Sequence, residues 1–230
     1  MKASIPLVSV LISVHNDEKN IRNAINSILD QTYANIEILI IDDASTDNSF
    51  NEIQTTIKGQ KKVTCFQNKE NVGLTKNLNF LIKNSQGELI ARQDSDDISH
   101  PDRIEKQVKH LLDNNLDAST TRSTNLQNGK KIPGLSYYLP KKLIMRLKNP
   151  FIHGTLLIKK SVLDKVNYYN ENYYYSQDYF LFAYLLKNNF NVRTLNESLY
   201  SLNTKNNIST NHKNEQMEYS IKVKEYWKSH

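Results

Sequence analysis

The chain opens with an apolar run, Leu7 to Val14, rich in β-branched residues and broken by His15-Asn16-Asp17. This reads as a strand buried on both faces. Ile21, Ala24, Ile25, Ile28 and Leu29 then recur at helical spacing, with Asn16 or Asp17 as the expected cap. Ile36 to Ile41 is a second apolar strand, and it ends on Asp42-Asp43-Ala44-Ser45. Strand, helix and second buried strand predict a βαβ unit, hence a parallel sheet with a right-handed crossover. The alternation continues with a weaker helix over 47–57, a strand over 63–66, and a helix carrying Leu74, Leu78, Leu81 and Ile82 that Gly87 is expected to end. A further apolar run, Glu88 to Ala91, leads to Asp94-Ser95-Asp96-Asp97, and Ile104, Val108, Leu111 and Leu112 mark a helical face after Pro101. Both acidic patches directly follow strands, so a parallel sheet carries them to one edge, where open α/β sheets bind ligands.

The second half is less regular. The pattern predicts a polar strand over 118–126, a turn at Asn128-Gly129-Lys130-Lys131, and a short amphipathic helix over Leu139–Leu147. A strand over His153–Ile158, a helix over 161–166, an apolar helix over Phe180–Leu186 and a short strand over Asn191–Leu195 follow. The tail, Asn211 to His230, reads as a polar helix. No repeat or linker interrupts the chain, so the expectation is one α/β domain over 1–210. Its nucleotide-binding half covers about 1–115, its mixed half about 116–210, and 211–230 is the tail.

The acidic loop carries the first chemical signal. Three carboxylates within four residues repel one another, which raises at least one pKa unless a cation sits between them. Hard oxygen donors of this kind suit Mg²⁺ or Mn²⁺. A solvated acidic turn ahead of the next helix is the plainer alternative.

Composition narrows the class. With 230 residues, 38% hydrophobic and 23% charged, the chain is a globular domain with a real core. The formal charge of +6 comes from Lys and Arg that read as scattered along the sequence, a weak pointer to an anionic partner such as a nucleotide or a membrane surface. Basic clusters interleaved with aromatics are absent, which argues against nucleic acid. Oligomeric state has no signature here. Cys65, the single cysteine, lies in an apolar run and fits a reducing cytoplasm and a core position. The apolar part of MKASIPLVSVLISVHN is too short and too interrupted for a signal peptide, and no run has transmembrane length. Work at a membrane would then be from its inner face. Lys222, Lys224, Tyr226, Trp227 and Lys228 are compatible with contact to an anionic membrane surface or with packing on the domain.

Five stretches, PLVSVLISVHN, ILIIDDAST, NVGLTKNLN, GELIARQDSDDISHPDR and SQDYFLFAYLL, occur in the order seen in family 2 glycosyltransferases, over roughly Pro6 to Ser209. The chain resembles that family, which implies a GT-A fold: a mostly parallel, Rossmann-like sheet flanked by helices, with a mixed C-terminal half. The resemblance implies inverting transfer of a sugar from a nucleoside-diphosphate donor, UDP-linked in the typical case, to the hydroxyl of a glycan or lipid-linked acceptor. Position by position, Ser13, His15 and Asn16 border the nucleotide site. Asp43 resembles the carboxylate that bonds the base, with Asp42 beside it. Gly73 and Lys76 match a segment near the nucleotide, and Arg92 precedes the metal motif. Asp94-Ser95-Asp96 resembles DxD, with Asp97 adjoining, so Asp94, Asp96 and Asp97 are the implied ligands of Mn²⁺ or Mg²⁺. Asp178 matches the catalytic base.

Two departures stand out. Gln177 precedes Asp178 where the family commonly has Glu, and Thr204 aligns where many members carry a metal-binding His. They favour, as an alternative, a nucleotide-sugar-binding protein with weakened catalysis. Position argues against a signalling receiver domain, whose acid pair follows the first strand of a much shorter unit, whereas here the pair follows the second. His153 has even standing as a site or structural residue, and His100 reads as a surface residue beside the helix. Most of the tyrosines around 168–175 read as packing, with stacking on an acceptor sugar as the second role.

Overall fold

The computed structural model describes residues 5–205 and 213–229. The expected boundary at 210/211, the outset of the tail and the first four residues lie outside that range. One nine-stranded sheet organises the chain. Its elements are β1 (Val8–Val14), α1 (Ile21–Leu29), β2 (Ile36–Asp42), α2 (Ser49–Thr56), β3 (Val63–Gln67), α3 (Leu74–Asn84), β4 (Leu89–Asp94) and β5 (Ile98–Ser99). They continue as α4 (Arg103–Asp113), β6 (Ala118–Asn125), β7 (Lys131–Ile132), α5 (Lys141–Ile144), β8 (Leu157–Lys159), α6 (Lys160–Lys165), α7 (Gln177–Lys187), β9 (Val192–Leu202) and α8 (Lys213–Lys228). Sheet order is β3-β2-β1-β4-β8-β6-β9-β5, with β7 on β6. β3, β2, β1 and β4 pair in parallel, and β8 runs antiparallel between β4 and β6.

The apolar runs behave as strands covered on both faces. Val8, Val10, Ile12 and Val14 of β1 join Ile21, Ile25 and Ile28 of α1 and Ile104, Val108 and Leu111 of α4 in one core. Leu11 points to the opposite core, with Leu78, Leu81 and Ile82 of α3 and Leu181, Phe182 and Leu185 of α7. Each such side chain contributes about 1.5–3 kcal/mol on burial. This fixes the register that sets Asp42 opposite Val14, and Asp94 opposite Ser13.

Local expectations need several corrections. Neither Asn16 nor Asp17 caps α1, which starts behind Asn20 because Asp17 is turned to other partners. Gly87 lies beyond the end of α3; Ser85 is the cap, and Gly87 is where the chain presses on β1, since a Cβ there would meet Ser9 Oγ at 2.4 Å. His153 begins a 3-10 turn, His153–Thr155, and only Leu157–Lys159 pairs as a strand. The helix expected over 139–147 shrinks to α5, because Pro140 delays its start and only Ile144 of its four residues is buried. β9 is longer than its apolar part, running to Leu202 beside β6 with two register shifts. Cys65 is half-buried at the edge of the core.

The tail helix α8 docks on α7. Val223 is buried, Tyr226 stacks with Tyr184 at 6.3 Å, and Lys187 Nζ lies 4.3 Å from the centre of the Tyr226 ring. Tyr169 and Tyr179 are buried in the core and Tyr173 stacks on Phe180 at 4.2 Å, whereas Tyr174 is exposed.

Candidate functional site

The carboxyl edge of β1, β2 and β4 is sealed by loops that bond to one another. The His15 ring nitrogen Nδ1 lies 2.8 Å from the Asp43 carbonyl, Asn16 N–H donates to Ser45 Oγ (3.0 Å), and Thr46 N–H donates to Asn16 Oδ1 (2.8 Å). Asn16 and Ala44 both take positive φ, which turns the two loops sharply at this edge. Asp43 is buried, and its carboxylate accepts from the Val72 N–H (2.9 Å), the Gly73 N–H (2.9 Å) and Asn68 Nδ2 (2.8 Å). It thus folds the loop 68–73 over the edge. Asn68 also donates to Asn77 Oδ1, and Asn77 donates to Ser13 Oγ, which links this loop back to β1. Gly73 needs its lack of a side chain: φ is +87° and a Cβ would lie 2.7 Å from the Tyr174 ring. Asp42 is fully buried. Its Oδ2 accepts from Ser45 N–H and Gln67 Nε2, while Oδ1 has no hydrogen-bond partner. Lys76 is exposed on the first turn of α3.

Beside this edge, Asp94 ends β4 with 30% of its side chain exposed, paired with a buried Arg92 guanidinium. Arg92 also donates to the Leu11 and Gln93 carbonyls, so it is spent inside the protein. Ser95 Oγ donates to Asp17 Oδ2 (2.7 Å), which brings a fourth carboxylate to the cluster. Burial, then the charges of Asp94 and Asp17, push the Asp96 carboxyl up to about 7. Asp97 is 1% exposed, and burial followed by the Asp94 and Asp96 charges raises it as well. Its Oδ1 accepts the Asn203 N–H at 2.6 Å, so it faces the protein interior. Thr204, the residue at the aligned His position, has its hydroxyl engaged by Asn125 and Gln127. Among the described residues no three His, Cys, Asp or Glu side chains converge as a ready-made metal cage.

Several residues here carried no sequence signal of a site role. Gln93 is buried and braces the loop through the Asp94 and Asp97 carbonyls, while Ser99 Oγ donates to its Oε1. Arg103 is buried behind Arg92, donating to the Arg92 and Gly154 carbonyls, and burial lowers its pKa to about 10. The Tyr200 hydroxyl accepts the Asp94 N–H at 3.1 Å. Gly154 lies so close that a Cβ would meet Tyr200 Oη at 2.4 Å and Asp94 Oδ2 at 2.6 Å. Gly154 and Tyr200 come from distant parts of the chain, which spacing cannot reveal, whereas Gln93 and Arg103 lie within GELIARQDSDDISHPDR with nothing in the pattern to set them apart, and Asp17 reads in the sequence as a cap.

Asp178 sits in the first turn of α7, after Ser176 in the left-handed region at φ +58°. Asn149 Nδ2 donates to its Oδ2 at 2.8 Å. Burial raises the Asp178 pKa and the Asp94 charge adds to the rise, so the two carboxylates share one electrostatic neighbourhood. His153 and Tyr169 belong to the same region: the His153 ring nitrogen Nε2 is 2.7 Å from the Tyr169 hydroxyl. Burial and then Arg92 drive the His153 pKa well below its ordinary value. His153 is thus neutral and half-buried against Tyr169. His100 lies outside this group, exposed and paired with Asp102 at 2.5 Å.

Known proteins resemble this chain in sequence and in fold. The sequence pattern of the family described as Glycosyl transferase family 2 matches residues 9–167. The O-antigen biosynthesis glycosyltransferase WbnJ of Escherichia coli is 36% identical over 207 residues, covering 86% of this chain and 78% of WbnJ. Other curated relatives are longer, and the chain spans 32% to 59% of the length of four of them. S. aureus TarS 1-349 in complex with UDP-GlcNAc superposes with a TM-score of 0.75 at 20% identity, over 87% of this chain and 59% of that one. The mannosyltransferase PcManGT from Pyrobaculum calidifontis, in complex with GDP-Man and Mn2+, gives 0.75 at 16% identity, over 95% and 63%. The expected GT-A architecture is the observed one.

Proposed function

Because the chain belongs to glycosyl transferase family 2, we propose that it transfers a glycosyl group, with inversion, from a UDP-sugar to an acceptor hydroxyl in polysaccharide or glycolipid assembly. The observation that carries this reading is the sheet edge. Asp42–Asp43 and Asp94 stand at the ends of β2 and β4, on either side of β1, and Asp178 comes in from a remote helix close enough to feel the Asp94 charge. Nucleoside diphosphate as the donor class is supported by the ligands of the two fold neighbours, UDP-GlcNAc in one and GDP-Man in the other. WbnJ supports a glycan or lipid-linked acceptor.

In this reading His15, Asn16, Asp43 and the Gly73 loop hold the nucleoside. Asp43 Oδ2 accepts one internal bond, from Gly73, which leaves it capacity for the N–H of a base. Lys76 adds positive charge at the N-terminus of α3, where a diphosphate is favoured. The acid cluster fits a divalent cation: the donors are all oxygens, and burial plus mutual repulsion hold Asp96 partly protonated for want of positive charge. Asp94 and Asp96 would hold the ion, and Asp97 would position the loop through Asn203. When bound, such an ion stabilises the charge that develops on the leaving diphosphate.

The chain's own chemistry centres on Asp178. Its carboxylate takes the proton of the acceptor hydroxyl as the new C–O bond forms at the anomeric carbon and the bond to the diphosphate oxygen breaks. A single displacement of this kind inverts the anomeric centre and needs no covalent enzyme intermediate. Burial raises the pKa of Asp178, which makes its ionised form a stronger base, and the Asn149 amide fixes its orientation.

A screen of nucleotide sugars for release of nucleoside diphosphate, with and without Mn²⁺ and with sugar acceptors, tests this. One UDP-sugar turned over in a metal-dependent way is the expected result. Failure of every nucleotide sugar to bind or react overturns the proposal. Donor binding without turnover selects the weakened-catalysis alternative that Gln177 and Thr204 favour.

A further inference from the structure

We infer that the surface formed by residues 135–148 docks on an anionic lipid bilayer. Leu135, Tyr138, Leu139, Leu143 and Leu147 are 88%, 70%, 51%, 52% and 72% exposed. Five of the twelve large hydrophobic residues exposed among the described residues thus fall within thirteen consecutive positions, a concentration in one segment of the chain. The charge around it is one-sided. Residues 118–163 contain nine Lys and Arg and no Asp or Glu, whereas the rest of the chain has 21 basic residues against 24 acidic ones. The net positive charge, which reads as scattered along the sequence, therefore originates here through the absence of acids. Lys130, Lys131, Lys142, Arg146 and Lys148 are exposed in and beside the patch.

The fold holds these leucines outward. Tyr137 lies under the Arg122 guanidinium at 4.9 Å and the Lys141 ammonium at 4.7 Å, while Ile144 and Met145 are buried. Leu143, Lys142 and Arg146 then line a groove with Pro140 and Trp227, the latter from α8. Leucines among lysines suit a bilayer interface, where apolar groups enter the acyl boundary and ammonium groups reach the headgroups. Protein interfaces are depleted in Lys, and a second copy of this chain would oppose like charge to like charge. No helix among the described residues is long and apolar enough to cross a membrane, so this contact is from the surface. The patch ends at Asn149, which donates to Asp178. Docking here would bring a lipid-linked acceptor to that carboxylate, a consequence that rests on the reading of Asp178 as base.

The test is co-sedimentation of the full chain with vesicles of phosphatidylcholine, with and without phosphatidylglycerol, over a salt series. Binding is expected only to the anionic vesicles and should weaken with salt. Each basic residue near the surface contributes about a fivefold factor, so Arg146→Glu with Lys148→Glu should lower partitioning by more than about 25-fold. Leu143→Ser with Leu147→Ser should reduce it while circular dichroism stays unchanged, and charge reversal at Lys58 and Lys61 should leave it intact. Absence of binding, equal binding to neutral vesicles, or variants that instead abolish self-association or capture of a protein partner would overturn the proposal. The readout needs no catalysis, so its failure is distinct from failure of the transferase reading.

Discussion

Asp178→Asn separates chemistry from folding. The substitution keeps shape and an oxygen that can accept the Asn149 bond, so the first turn of α7 should persist. Its effect on stability follows from the raised pKa. The folded state binds this proton more tightly than the unfolded chain, so stability falls as pH rises from the unfolded value through the folded one, and the loss persists above that window. Asparagine does not ionise and escapes the loss; at neutral pH the variant should melt at or above the wild-type temperature. Loss of a general base should cost about 10²–10⁴-fold in turnover. Donor affinity should stay unchanged, because the proposed mechanism puts Asp178 on the acceptor side. In the wild type the acid limb of kcat/KM should lie above the ordinary carboxylate range, and in the variant's residual activity the part of it that Asp178 sets should be lost, leaving the part set by the acid cluster. Nucleoside diphosphate release, donor titration calorimetry and thermal melts at several pH values read all of this. Turnover within a few-fold of wild type, with donor binding intact, would refute the assignment. A collapse of the fold would refute the account of Asp178 as a carboxylate that the structure disfavours in its charged form.

Other expectations concern the donor side. Gly154→Ala places a methyl group 2.4 Å from Tyr200 Oη and 2.6 Å from Asp94 Oδ2. A displacement of about 1 Å at Asp94 should cost on the order of 10²-fold in kcat/KM, read by steady-state kinetics. Asp43→Asn turns an acceptor of three bonds into a group with one oxygen and sets an amide against an N–H donor. It should cost about 1–3 kcal/mol in urea unfolding and raise the donor KM. Chelation should abolish turnover, and Mn²⁺ at about 100 times its Kd should add about 2.7 kcal/mol of stability, seen as a rise in Tm that Asp96→Asn reduces.

The first half of the chain was legible because its strands are buried on both faces. Runs such as Ile36–Ile41 and Leu7–Val14 have no other stable use, and an acid at the end of such a run must emerge at the sheet edge. The second half follows different physics. β9 passes through Asn196, Glu197 and Ser198 and holds its place by pairing with β6 rather than by apolar pattern. His153–Thr155 turns because Thr155 Oγ1 bonds the Ile152 carbonyl, a local choice with no periodic trace. The supports of the site were the least visible. Tyr200 reaches Asp94, and Asn203 reaches Asp97, each across 106 residues. Asn149 finds Asp178 across 29. Such contacts are set by topology, and a polar residue in an irregular segment looks the same with or without one.

Charge balance ties these supports to the chemistry. Asp17, Asp94, Asp96 and Asp97 crowd one corner, and Arg92 and Arg103 are buried behind it. Were all six ionised, two negative charges would remain, the deficit that one divalent cation removes. Burial, and then the charges of Asp94 and Asp17, raise Asp96 to about 7, so this corner takes up a proton that an ordinary carboxylate would have lost. The arginines cannot move forward to take the cation's place, because their guanidinium groups are tied to the Leu11, Gln93, Arg92 and Gly154 carbonyls. The protein thus neutralises the corner halfway with fixed groups. Asp43 and the Gly73 loop close over the end of the neighbouring strand β2, so in the proposed transferase reading an ion and the diphosphate it accompanies would enter as one charge-compensated unit.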